Sequence, residues 1–243
     1  MPSSWLPALP ATHDALSAVL GGVAAAGPRS RWDGVRQEVF AGYLAALAHH
    51  GPVSTPELFP STAHVLAYLV NAHAAWTIAL GEAQKLRKLG VGALREVPFP
   101  LDGRMSTLAT LAGEVARYAP WEPRLSLFLN PGWQGGPPLP TSALEGHSLD
   151  WQLASHAGLC GRTPGFWNLD RGRSVVSVSA FTDSMWGLPV EQPARMRKLL
   201  DLVPPPGRLR QAILATCGPS LQRCTMASIA HDRSRLFEAG PRR

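Results

Sequence analysis

Residues 61–90 read STAHVLAYLVNAHAAWTIALGEAQKLRKLG. This is the longest uninterrupted helical pattern in the chain. Ser61 or Thr62 can cap a helix start, and Gly90 supplies a stop. Between them Val65, Leu66, Leu69 and Ile78 recur at helical spacing and define the expected buried face. Residues 63–81 are apolar enough to raise the question of a membrane span. His64, Asn71 and His73 argue against one, because polar groups inside hydrocarbon are costly. The spacing therefore predicts a buried central helix. His64, Tyr68 and Asn71 lie on one stripe of it and are expected to find partners in the core.

Helical patterns also lead up to this segment. Asp14 to Ala26 reads as a short apolar helix with Thr12 as its cap. No basic region precedes its apolar run, so it is read as a helix and not as a signal peptide. A second helix starts at Asp33, with Val35, Val39, Phe40, Tyr43, Leu44 and Leu47 recurring at helical spacing, and stops at His49-His50-Gly51-Pro52. Ser106 to Tyr118 is expected to be a further helix, with Leu108, Leu111 and Val115 buried.

Near Pro120 the pattern changes. RLSLFLN (124–130) alternates like a strand, PGWQGGPPLP (131–140) reads as an exposed connection, and Ser148–Ser155 as a short helical turn. SVVSVSAF (174–181) is the best strand candidate, with strict alternation of Val176, Val178 and Ala180. Arg195–Leu202 is helical, Arg208–Thr216 is compatible with helix or strand, and Gly218-Pro219 opens a last helix toward Glu238. The expected class is α+β: a helical region over 1–120, then a mixed region over 121–243 with a small sheet and C-terminal helices, the two possibly forming one continuous domain.

Charge is segregated along the chain. Residues 1–170 hold 11 basic and 12 acidic residues, whereas 171–243 hold 12 and 5, so the whole excess behind the net +6 is C-terminal. Twenty of the 23 basic residues are arginines, whose planar guanidinium suits phosphate contacts and base stacking. A GC-rich genome enriches arginine as well, so the segregation carries more weight than the count.

No P-loop, GxGxxG, GxSxG, HExxH or CxxC pattern is present, which removes the commonest nucleotide, hydrolase and zinc-protease signatures. Three cysteines, Cys160, Cys217 and Cys224, leave one unpaired in any disulfide scheme. They are expected to be reduced and metal-free, in a cytoplasmic protein without cofactors. His156 with Cys160, and Cys217, Cys224 and His231, are of zinc-ligand type, but neither set has finger spacing. Cys160 near His147, Asp150, His156 and Asp170 is the alternative of a small cysteine- or histidine-dependent enzyme.

The leading expectation is a non-catalytic nucleic-acid-binding subunit of a larger assembly, for RNA or DNA, with protein partners and no membrane. Its candidate contacts are Arg162, Trp167, Arg171, Arg173, Arg195, Arg197, Lys198, Arg208 and Arg210. Arginines neutralise phosphates, and an exposed aromatic face stacks on any base. Within GRTPGFWNLDRGRS (161–174), extended backbone would send Phe166 and Trp167 to opposite sides, Phe166 inward and Trp167 to the surface. A protein-interaction adaptor with an acidic partner is the remaining alternative.

Overall fold

The helix anticipated at 61–89 is α3, Thr62–Gln84, and it runs unbroken through Asn71. The computed structural model describes residues 13–26, 34–84, 91–118, 122–130 and 136–230. The caps at Thr12 and Asp33, the stop at Gly90, His231 and everything after residue 230 lie outside that set. Leu66, Leu69 and Ile78 are buried, and Val65 packs partly exposed against the same core. By length and composition α3 could cross a membrane, with a mean hydropathy of 1.2 over Thr62–Gly81, yet 72% of that window is buried inside the protein.

Around α3 stand α1 (Asp14–Ala26), α2 (Gly34–His49), the short α4 (Val91–Leu94) and α5 (Leu108–Tyr118). Of the polar stripe of α3, Tyr68 and Asn71 find partners in the core, whereas His64 pairs with the Ser61 hydroxyl at the exposed start of the helix, 2.8 Å away. Tyr68 donates its hydroxyl to the carbonyls of Leu47 and His50, at 3.2 and 2.8 Å. Asn71 donates to the Leu144 carbonyl at 2.9 Å and accepts the Leu144 N–H at 2.8 Å. The side chain of Asn71 thus acts as a strand-like partner for a connecting loop.

Between α4 and α5 lies a hairpin that periodicity did not suggest: β1 (Phe99–Leu101) antiparallel to β2 (Arg104–Ser106). Its two-residue turn is Asp102-Gly103, with φ of 53° and 72°. Asp-Gly is a strong signal for such a turn, because both positions must adopt left-handed backbone. Strands of three residues each are too short to display alternation.

The second half begins with a correction. Residues 124–130 are not a strand; Pro123–Phe128 is a 3₁₀ turn, begun by the Glu122 carboxylate accepting the Arg124 N–H at 3.1 Å. Leu125, Ser126, Leu127 and Phe128 are all buried, so the alternating leucines do not mark two faces. The connection after it is also less exposed than expected: Pro137, Leu139 and Pro140 are buried. The turn read at 148–155 is a full helix, α6 (Leu149–Arg162).

A three-stranded sheet follows, ordered β3 (Trp167–Asp170), β4 (Val175–Ser179), β5 (Thr225–Ile229). β3 and β4 pair antiparallel, and β4 and β5 parallel. The strand expected at 174–181 is β4, shortened at Ala180 where a 3₁₀ turn, Ala180–Ser184, takes over. α7 (Gln192–Leu202) and α8 (Gly207–Cys217) form the crossover between the parallel strands. β5 occupies residues assigned to the last helix. Gly218, at φ 77°, and Leu221, at φ 61°, turn the chain back after α8 and deliver it to the sheet edge. The architecture is α+β, and its apolar cluster contains residues from Leu16 through Cys224.

That same reversal joins Cys217 to Cys224. Their Cα atoms lie 4.9 Å apart and the sulfurs form a disulfide. The expectation that these two cysteines are reduced is thus corrected, and Cys160 alone is a free thiol, buried. A reducing compartment no longer follows from an odd cysteine count.

Candidate nucleic-acid interface

The nine nominated side chains fall into three groups. Arg162 ends α6, Arg171 sits in the β3–β4 turn, Lys198 lies on α7 and Arg208 in the first turn of α8; all four are exposed, and none pairs with a carboxylate among the described residues.

The second group makes contacts within the protein, although Arg173 and Arg197 stay exposed. Arg195 is half-buried, donating to the Thr182 carbonyl at 2.8 Å and lying 3.6 Å from Asp183. Arg210 pairs with Asp201 at 2.8 Å and also donates to the Leu200 carbonyl. Arg173 lies 3.8 Å from Asp170, whose carboxylate also accepts the Arg173 N–H at 3.0 Å. Arg197 is exposed but donates to the Pro219 carbonyl. These contacts tie α7 to its surroundings and close the β3–β4 turn.

Trp167 forms the third group by itself. It is 6% exposed, and its indole N–H donates to the Val203 carbonyl at 3.0 Å. The expectation of an outward stacking face is corrected: Phe166 and Trp167 are both buried, their rings 6.1 Å apart. Phe166 precedes β3 in a turn, its N–H bonded to the Thr163 carbonyl. Strand alternation therefore does not apply between the two. The exposed aromatic of this region is Trp151 on α6, 71% exposed. Ser155, Leu159 and Arg162 follow it at helical spacing on the outer face. Reading the full length of α6, with Leu149, Leu153, His156, Ala157 and Cys160 inward, would have placed Trp151 outside.

The balance of charge sharpens the first group. Between 171 and 230 the chain carries eight basic and three acidic residues. Two of the three acids, Asp183 and Asp201, are each taken up by an arginine, while Glu191 is exposed. The surplus is displayed as exposed cations. Arg208 is also placed against the dipole of α8, at an N-terminus with no side-chain cap. A cation there gains nothing from the helix, whereas an anion would meet both the open N–H groups and the guanidinium.

The catalytic alternative has no comparable setting. The Cys160 thiol is buried and burial pushes it up to about 12, so no thiolate forms near neutrality. His156 packs tilted against Phe128 with ring centroids 4.2 Å apart, its Nε2 3.4 Å from the Leu127 carbonyl. Burial lowers it to about 4, so it is neutral in the core. Asp150 is engaged by Arg124 at 2.6 Å, and His147 is exposed. Among the described residues no three His, Cys, Asp or Glu side chains cluster to hold a metal.

Compared with protein families, curated proteins and solved structures, the chain matches none.

Proposed function

We propose that the protein is a non-catalytic nucleic-acid-binding subunit that grips backbone phosphates with its C-terminal third and works within a larger assembly. The observation that carries this reading is the exposed set Arg171, Lys198 and Arg208, without carboxylate partners among the described residues, beside acids already consumed by other arginines. Phosphate contacts of this kind supply affinity without sequence preference and weaken as salt rises. Stacking by Trp167 is not part of the reading, because the ring is a core element.

The test is anisotropy titration of random single- and double-stranded oligonucleotides across a salt series. A variant combining Arg171→Ala, Lys198→Ala and Arg208→Ala is expected to weaken binding to every sequence. It should flatten the log–log salt slope by about 0.9 for each lost contact on duplex and about 0.7 on a single strand. An unmodified protein that binds no oligonucleotide at low salt overturns the reading.

A further inference from the structure

A groove of about 710 Å³ opens between α5 and the Ala180–Ser184 turn, with α3 behind it. That size lies in the range of small-molecule sites. Ala112, Gly113 and Ala116 form one wall, Phe181 and Trp186 the other. Small side chains at i, i+1 and i+4 of α5 keep that wall low, and the aromatics offer a flat apolar face.

Two polar side chains lie deep in the lining, His73 from α3 and Ser126 from the Pro123–Phe128 turn. They are 2% and 3% exposed. Nδ1 of His73 and Oγ of Ser126 have no hydrogen-bond partner among the described residues. Leaving such a group unpaired in a core is costly, so two in one groove call for a reason. Burial, aided by the Arg95 charge, lowers His73 to about 3, so its ring is neutral and offers one donor and one acceptor.

Arg95 and Asp183 are the charged residues of the lining. Asp183 is occupied, near Arg195 at 3.6 Å and accepting the Ser228 hydroxyl at 2.9 Å. Arg95 is exposed and has no carboxylate partner among the described residues. The uncompensated charge of the groove is therefore positive.

We propose that this groove binds a small hydroxylated carboxylic acid with an apolar body. The body lies between the α5 wall and Phe181 with Trp186, the carboxylate meets Arg95, and the hydroxyl meets His73 and Ser126. This site is separate from the exposed cations of the proposed nucleic-acid surface and does not rest on that reading.

Calorimetric titration of the full chain with 10-hydroxydecanoate tests it, beside decanoate and the methyl ester of 10-hydroxydecanoate. One molecule of the hydroxy acid should bind per chain, with both other compounds several-fold weaker. Gly113 lines the groove and a Cβ there meets nothing within 4 Å, so Gly113→Leu adds bulk at the groove wall without a clash at its Cβ; it should weaken the hydroxy acid at least tenfold. Arg95→Gln, a surface change, should weaken both acids several-fold and leave the ester unaffected. No binding to the parent, or equal binding to Gly113→Leu, overturns the site. An ester that binds as well as the acid, or acids indifferent to Arg95→Gln, overturns the ligand class.

Discussion

The carboxylate of Asp102 grips Ser54 twice. Its Oδ1 accepts the Ser54 N–H at 2.8 Å and the Ser54 hydroxyl at 2.6 Å, while Oδ2 accepts the Val53 N–H at 2.9 Å. Asp102 is itself a turn residue with φ 53°, and its N–H donates to the Leu47 carbonyl at 2.9 Å. One residue thus sets the hairpin turn and fastens it to the loop that ends α2.

Asp102→Asn keeps the tolerance for left-handed backbone but exchanges one acceptor for a donor that faces an N–H or hydroxyl. It should destabilise the protein by about 1–3 kcal/mol in urea unfolding. Asp102→Ala should cost more, because alanine also resists the positive φ. An unchanged midpoint for both would show that loop 51–55 is held by other contacts.

Gly51 gives a sharper test of the same junction. A Cβ there would lie 2.4 Å from the Asp102 carboxyl carbon. Gly51→Ala must therefore displace the carboxylate and is expected to lower stability at least as much as Asp102→Asn. Combining the two should be less than additive, since they break the same contacts.

The disulfide closes a short loop, with a sequence separation of seven. The chain-entropy estimate for such a loop is about 2–3 kcal/mol, and that is the expected loss on reduction or on Cys224→Ser. Thiol titration of the unfolded protein should find one reactive group before reduction and three after it. Three before reduction would remove the bond.

Two buried histidines make stability fall with acid. His73 is lowered to about 3 and His156 to about 4 from an ordinary 6.5. Each is neutral when folded but takes a proton when unfolded below about pH 6.5, so the unfolded chain binds more protons and stability rises with pH. The window runs from about 6.5 down to the folded values. Between pH 7.5 and 5.5, where carboxylates remain ionised, each histidine should account for about 1 kcal/mol. His156→Gln should flatten the profile relative to the parent; an equally steep profile would reject this assignment.

The sheet edge carries its own safeguard. The Gln192 side chain accepts the Met226 N–H at 3.2 Å and donates to the Met226 carbonyl at 3.4 Å. It occupies hydrogen-bonding groups that an incoming strand would use. Gln192→Ala should leave the melting temperature nearly unchanged and raise the rate of aggregation, measured by light scattering; no change in that rate would show the edge is protected otherwise.

What the sequence determined by itself is the set of elements whose apolar period is long enough to be unambiguous. α1, α2, α3 and α5 were legible because three or more turns carry their inward residues, and β4 because its branched residues alternate. Elements made by backbone turns were not legible that way. Residues 124–130 alternate leucines without being a strand, since a 3₁₀ turn buried on all sides satisfies the same pattern. β5 depended on the reversal at Gly218 and Leu221, which positions the chain beside β4 and brings Cys217 to Cys224. The charge surplus was visible in the composition. Only tertiary structure decided which cations are consumed by Asp183 and Asp201 and which stay exposed, because ion pairing depends on distances between segments far apart in sequence. The same holds for Trp167, whose fate rested on the Val203 carbonyl, 36 residues away. The groove lined by His73 and Ser126 is likewise assembled from separate segments, and no local spacing announces it.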